Sequence, residues 1–133
     1  MIIESILFNQ LDVSEEIIKA AHDMGFEETT PIQAKAIPII LTGKDVIAQA
    51  PTGTGKTCAF GIPAVEGIDT RKNNVQVLIL CPTRELVIQV AEELVTLAKY
   101  KKDVRILPIY GGQQIDRQMR ALRKKPQTIV GPS

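Results

Sequence analysis

Residues Ala50-Pro51-Thr52-Gly53-Thr54-Gly55-Lys56-Thr57 follow the apolar run Val46-Ile47-Ala48 after a single residue, Gln49. Glycines at this spacing let backbone N–H groups turn inward and approach phosphate oxygens closely. A helix opening near Gly55 would add its positive dipole end, worth about 0.3–1 kcal/mol for a well-placed anion. Lys56 reaches the β- and γ-phosphates of a nucleotide, and the Thr57 hydroxyl can ligate Mg²⁺. Ala50 stands where the strict pattern G-x-x-x-x-G-K-[ST] has its first glycine, so the loop is a near-match. A strand before it and a helix after it argue against a chance Gly/Thr loop.

Other chemistry-bearing residues are few. Cys58 and Cys81 match no metal spacing and read as reduced thiols of a cytosolic protein. His22 is the sole histidine and suggests no chemistry. Hydrolysis of a nucleotide needs one carboxylate to hold Mg²⁺ and another acid to orient water, both at the end of an apolar strand. The acidic residues after Lys56 are Glu66, Asp69, Glu85, Glu92, Glu93, Asp103 and Asp116. None of them forms an Asp-Glu pair after such a strand.

The elements that must position the loop can be read from caps and periodicity. Ser14 caps a helix carrying Ile17, Ile18 and Ala21, which stops near Gly25. Pro31 opens a second helix that Pro38 bends or shortens. Residues 45–50 read as a short apolar strand. A helix runs from Gly55 until Pro63 kinks or ends it. Residues 75–81 are near-continuously apolar, as expected of a strand buried on both faces. Residues 85–99 are helical, with Leu86, Val90, Leu94 and Leu97 on one stripe. Residues 103–110 form a strand, and Pro108 suggests an edge or a bulge. A helix over 113–123 and a strand over 127–131 complete the pattern.

This alternation is the signature of an α/β fold, a parallel sheet with helices on both faces, whose ligands bind beyond the C-terminal strand ends. A length of 133 residues points to one domain. A net charge of +1 advertises no global attraction to nucleic acid, so any basic surface must be local. No leader is visible at the N-terminus, and no apolar run reaches the roughly 18–20 residues a membrane span needs. A cytoplasmic location and no membrane partner are expected.

With these motifs in view, the sequence resembles the DEAD-box ATP-dependent RNA helicases. Residues 50–57 look like their motif I, where alanine in the first position is usual. Gly25-Phe26-Glu27-Glu28-Thr29-Thr30-Pro31-Ile32-Gln33 resembles their Q motif, with Phe8 where the family places an isolated upstream aromatic. Pro82-Thr83-Arg84-Glu85-Leu86 matches motif Ia, and Gly111-Gly112 stands where the family has paired glycines. Thr29 departs from the usual proline, a change expected to loosen the turn without removing a contact group.

The resemblance implies a P-loop, RecA-like helicase domain that binds ATP or ADP with Mg²⁺. It implies that Gln33 reads adenine, supported by Thr30, with Phe8 stacking on the base and Phe26 in the same site. An amide offers one donor and one acceptor, which complements the adenine N7 and N6 edge. Guanine would leave a buried polar atom unpaired, at about 1–3 kcal/mol. Read without the family, Gln33 is a solvated helix residue and Phe8 a core aromatic. Pro82, Thr83, Arg84, Gly111 and Gly112 would grip an RNA sugar-phosphate backbone without reading bases. Arg117, Arg120, Arg123, Lys124 and Lys125 could extend that track, although a solvated helix face is the plainer reading.

The family's Asp-Glu-Ala-Asp and Ser-Ala-Thr motifs and its second domain are not found in these residues. Gly131-Pro132-Ser133 only approaches the next motif. The chain is therefore expected to be an early part of the first helicase domain, apparently truncated. Such a part should bind adenine nucleotide, hydrolyse it poorly and self-associate through its sheet. Two alternatives stand beside this: another P-loop NTPase, for which a substrate pocket and an arginine-rich lid are missing, and a non-enzymatic short form that binds RNA or a partner.

Overall fold

The computed structural model of the chain describes residues 6–49 and 55–133. Length argues for one domain, but the contacts fall into two units. One is Met1–Gly67 with Thr96–Lys101, the other Ile68–Val95 with Lys102–Ser133. No helix among the described residues is long and apolar enough to cross a membrane.

In the first unit a short 3₁₀ turn, Phe8–Gln10, precedes α1 (Glu15–Asp23), α2 (Pro31–Leu41) and α3 (Lys56–Glu66). Ser14 occupies the cap position of α1, but its side chain does not close the helix. Its hydroxyl donates instead to Glu66 Oε2 at 2.9 Å, and its backbone N–H donates to the same carboxylate. The carboxylate thus meets the positive end of α1. At the far end of α1, Asp23 accepts from the Tyr100 hydroxyl and pairs with Lys99 at 2.7 Å. The hydrogen bond from Lys99 and then that from Tyr100 hold the Asp23 carboxyl below its ordinary pKa.

Neither internal proline ends its helix. Pro38 lies inside α2 and Pro63 inside α3, and the helices run on to Leu41 and Glu66. A mid-helix proline removes one intrahelical bond, and packing of α2 against α3 outweighs that loss here. Ala36 and Ile37 of α2 and Cys58, Ala59, Ile62 and Val65 of α3 are buried.

The expected strand over 45–50 is not formed across residues 45–49, and residue 50 lies outside the described residues. An apolar run becomes a strand only when a neighbour takes its N–H and C=O groups. No described strand pairs with this segment, and Ile47 is fully exposed.

The second unit holds β1 (Val77–Cys81), most of α4 (Arg84–Leu97), β2 (Ile106–Pro108), α5 (Ile115–Arg123) and β3 (Thr128–Pro132). The strands make a parallel sheet in the order β1-β3-β2. Val77 pairs with Thr128 and Cys81 with Pro132 on one side of β3, and Ile106 pairs with Thr128 on the other. The α/β parallel sheet expected from the sequence is therefore present. β1 is not buried on both faces, however: Leu78 and Leu80 are 63% and 59% exposed. Alternate residues of a strand face opposite sides, and nothing among the described residues covers the side these leucines share. Pro108 closes β2 at an outer strand, where its missing N–H is harmless.

Candidate functional site

Two sites can be built, one in each unit. The first is assembled by Gln33, which has no exposed surface. Its Oε1 accepts from the Thr30 N–H at 3.0 Å, and its Nε2 donates to the Gly55 carbonyl at 3.1 Å. One amide thereby joins the start of α2 to the start of α3. Gly55 sits at the cap of α3 with φ +77°, a left-handed conformation that favours glycine. A β-carbon there would stand 2.4 Å from Gln33 Nε2, so the close approach also excludes a side chain.

An amide oxygen has two lone pairs and an amide nitrogen two hydrogens. After Thr30 and Gly55 are served, Gln33 keeps one acceptor site and one donor. The Thr30 hydroxyl is itself buried without a hydrogen-bond partner.

The N-terminal segment lies along the Q-motif stretch. Leu7 bridges Glu28, and the Phe8 N–H donates to the Glu27 carbonyl at 3.1 Å. Thr29 fastens this pairing, and here the expectation of a loosened turn is reversed. Its N–H donates to the Ile6 carbonyl at 2.8 Å, and its hydroxyl both accepts from the Ile6 N–H at 3.0 Å and donates to the Ile6 carbonyl at 3.1 Å. A proline would have neither donor. Phe8 is only 3% exposed, with its ring centroid 6.0 Å from that of Phe26. It stands as a core aromatic in this form, with almost no face open to a base.

Beside Phe26 a cleft of about 510 Å³ is lined by His22, Asp23, Gly25, Phe26, Glu27 and Glu28. Three carboxylates make it unsuited to phosphates. A second cavity, of about 290 Å³, lies between α2 and α3 and counts Lys56 among otherwise apolar neighbours such as Ile32, Ala36 and Phe60. Lys56 is exposed and Thr57 half-buried in the first turn of α3. This turn fits an anion: a left-handed glycine cap, a helix N-terminus and a cation coincide. Ala50, Pro51, Thr52, Gly53 and Thr54 lie outside the described residues. Among the described residues no group of three His, Cys, Asp or Glu could hold a metal.

The second site lies beyond the C-terminal ends of β1 and β2. Pro82, Thr83 and Arg84 follow β1 and are all exposed. Thr83 caps α4, its Oγ1 accepting from the Leu86 N–H at 3.1 Å. Gly111 and Gly112 follow β2 and are also exposed. β3 separates the two outer strands, so Arg84 must reach from one end of the sheet edge to the other. It does: a β-carbon on Gly112, which has φ +92°, would stand 3.1 Å from Arg84 Nη1. The guanidinium lies over the Tyr110 ring, 5.6 Å from its centroid.

Tyr110 was not legible as a site residue beyond its place before the glycine pair, and Gln118, which bonds the Tyr110 carbonyl, carried no signal. Arg117, Arg120, Arg123, Lys124 and Lys125 are all exposed, and α5 buries no residue. Cys81, at the end of β1, is buried, and burial pushes its thiol pKa up, away from nucleophile chemistry.

Comparison with known proteins follows this geometry. A match to the family described as DEAD/DEAH box helicase spans residues 30–132. The chain is 60% identical over 124 residues to a DEAD-box ATP-dependent RNA helicase CshA of Geobacillus kaustophilus, covering 93% of this chain and 26% of that protein. It is 55% identical over 127 residues to the CshA of Bacillus subtilis, covering 96% and 26%. The chain thus spans about a quarter of the length of these curated relatives. Among solved structures it is similar to a DEAD box protein from the hyperthermophile Methanococcus jannaschii, with TM-score 0.88 and 43% identity over 95% of this chain and 34% of that one. A hypothetical ATP-dependent RNA helicase from Sulfolobus tokodaii gives a TM-score of 0.78 and 34% identity over 90% and 34%.

Proposed function

Because the chain belongs to the DEAD/DEAH box helicase family, we propose that residues 1–133 are the adenine-nucleotide and RNA-backbone binding part of a first RecA-like helicase domain. The whole protein would couple ATP binding and hydrolysis to RNA binding and local duplex unwinding. The observation that carries this reading is the Gln33 amide, bonded at once to Thr30 and to Gly55. Its unused donor and acceptor are the pair that adenine N7 and N6–H require, and guanine reverses one of them. Because Gln33 is fully buried, a base reaches it only after the atoms covering it move.

In this reading Gly55, Lys56 and Thr57 receive the phosphates, and Thr57 offers an oxygen to the accompanying Mg²⁺. ATP, when bound, supplies the phosphoryl group whose hydrolysis drives the cycle. Arg84, Thr83, Pro82 and the turn at Gly111-Gly112 hold RNA phosphates without regard to base.

These 133 residues contain no Asp-Glu pair, so in this reading the chain by itself hydrolyses ATP poorly or not at all. Phosphate release measured with and without RNA tests this: a rate at background supports it, and robust RNA-stimulated turnover contradicts it. The exposed Leu78 and Leu80 on β1 favour self-association of this chain. Light scattering at rising protein concentration would show growing mass if so, and a constant monomer if not.

A further inference from the structure

Two residues outside the helicase motifs stand behind the cation on which the RNA reading rests: Tyr110 contacts it, and Gln118 contacts Tyr110. Tyr110 precedes the glycine pair, and its ring faces the Arg84 guanidinium at 5.6 Å. Gln118, on α5, donates through Nε2 to the Tyr110 carbonyl at 3.0 Å and to Gln113 Oε1 at 2.9 Å. The turn from Tyr110 to Gln113 is thereby tied at both ends to one amide. Gly112 completes the seat, because any β-carbon there would press on Arg84 Nη1 at 3.1 Å.

Arg84 itself is exposed. A free arginine on a surface is spread over many rotamers, and a phosphate that binds it must first narrow them. An aromatic face is attractive to a planar guanidinium and leaves its N–H edges free to donate. A ring and a bare glycine beside it therefore restrict the cation without consuming its donors. The ring is useful only if it stays where the guanidinium can reach it, and the Gln118 amide fixes the carbonyl of the same residue.

We propose that Tyr110 and Gln118 are positioning residues for RNA: Tyr110 orients the Arg84 guanidinium over the glycine turn, and Gln118 fixes that turn. The inference rests on the reading of Arg84 as a backbone-gripping residue. It predicts an aromatic requirement at 110 that the hydroxyl does not share, and an effect that vanishes when Arg84 is removed.

The test is binding of a fluorescein-labelled oligouridylate to the chain, followed by anisotropy, for Arg84→Ala, Tyr110→Leu, Tyr110→Phe, Gln118→Met and the double variant Tyr110→Leu/Arg84→Ala. Far-UV circular dichroism checks each fold. Tyr110→Leu should raise Kd roughly two- to fivefold, the range of an exposed cation–π contact. Tyr110→Phe should bind like the parent, and Gln118→Met should show a smaller loss than Tyr110→Leu. In the Arg84→Ala background Tyr110→Leu should change nothing. An equal loss from Tyr110→Leu in both backgrounds, or from Tyr110→Phe as well, would overturn the inference and leave the RNA reading intact. Arg84→Ala binding as tightly as the parent would overturn both. Should Tyr110→Leu fail to fold, the Arg84 Nε–Hε resonance decides: it should move in Gln118→Met and stay in Tyr110→Phe, and the reverse pattern would sink the proposal.

Discussion

Gln33 has no exposed surface and Arg84 is open to solvent, and the way each is held follows from that difference. A buried amide must be bonded to something, because an unpaired polar group in the interior costs about 1–3 kcal/mol. Gln33 is accordingly bonded at both ends, to Thr30 and Gly55. An exposed guanidinium faces no such penalty and needs direction rather than partners. Arg84 gets it from a ring and a glycine turn. The buried arrangement suits discrimination between bases, since a wrong base leaves something unpaired. The exposed one suits a sequence-independent, salt-sensitive grip on phosphate.

Both regions nevertheless use one device. Gly55 and Gly112 each adopt positive φ, and at each a β-carbon would crowd the functional side chain. The neighbours differ in how far they can yield. Gln33 Nε2 is fixed in the interior, only 2.4 Å from the β-carbon position, whereas Arg84 Nη1 is the far end of a flexible side chain at 3.1 Å.

The largest effect should therefore come from Gly55→Ala. It adds a left-handed alanine and breaks the Gln33 bond, for a loss of about 2–4 kcal/mol of stability. Urea denaturation should show it, and an unchanged midpoint would mean that the Gln33–Gly55 contact is not formed. Thr29→Val comes next. It keeps the shape but removes both bonds of the hydroxyl to Ile6, for about 1–2 kcal/mol by the same measurement, with RNA affinity unchanged. A loss of RNA binding equal to that of Arg84→Ala would show that the two sites are not separately held. Gly112→Ala should cost about 1–2 kcal/mol of stability from its left-handed backbone alone, yet weaken oligouridylate binding, a different balance from Gly55→Ala. Stability losses of the same size in both alanine variants would erase the comparison.

The smallest effect concerns Asp69, ahead of β1. Its hydrogen bond and ion pair with Arg71, at 3.0 Å, hold its pKa down to about 2. A depressed carboxylate contributes stability above its ordinary pKa and loses it as pH falls through the folded value. The Asp69–Arg71 turn should thus persist at pH 4 and open toward pH 2. The carboxyl carbon resonance of Asp69 reports it: a midpoint near the ordinary carboxylate value would mean the pair is absent in solution.

How much of this the sequence disclosed depends on whether the signal was local. Pro31 opening α2 and the helix that starts from Gly55 are decided by neighbours in the chain, and they read correctly. Pro38 and Pro63 left open whether their helices end or continue, and the packing that carries a helix past a proline is not local. The segment 45–49 and the outer face of β1 misread for a related reason. Val46, Ile47, Leu78 and Leu80 are apolar enough for a buried sheet, but burial requires covering elements that the described residues lack. The parallel sheet itself was legible from its alternation with helices. Within the candidate sites, Gln33, Arg84 and the glycines were singled out by their resemblance to family motifs. Thr29 was seen as a departure but given the wrong sign, because its partner Ile6 lies far away in sequence. Gln118 is an ordinary helical glutamine until its two acceptors are known.

The central claim is that Gln33 distinguishes bases with the half of its amide left over from Thr30 and Gly55. It is tested most directly by titrating the chain with Mg-ADP and Mg-GDP, beside Gln33→Ala. ADP should bind roughly tenfold or more tightly than GDP, the scale of one unpaired buried polar atom. The ratio should collapse toward one in Gln33→Ala, whatever happens to the absolute affinities. Equal affinity for both nucleotides in the parent, or a preference for ADP that survives Gln33→Ala, would contradict the account.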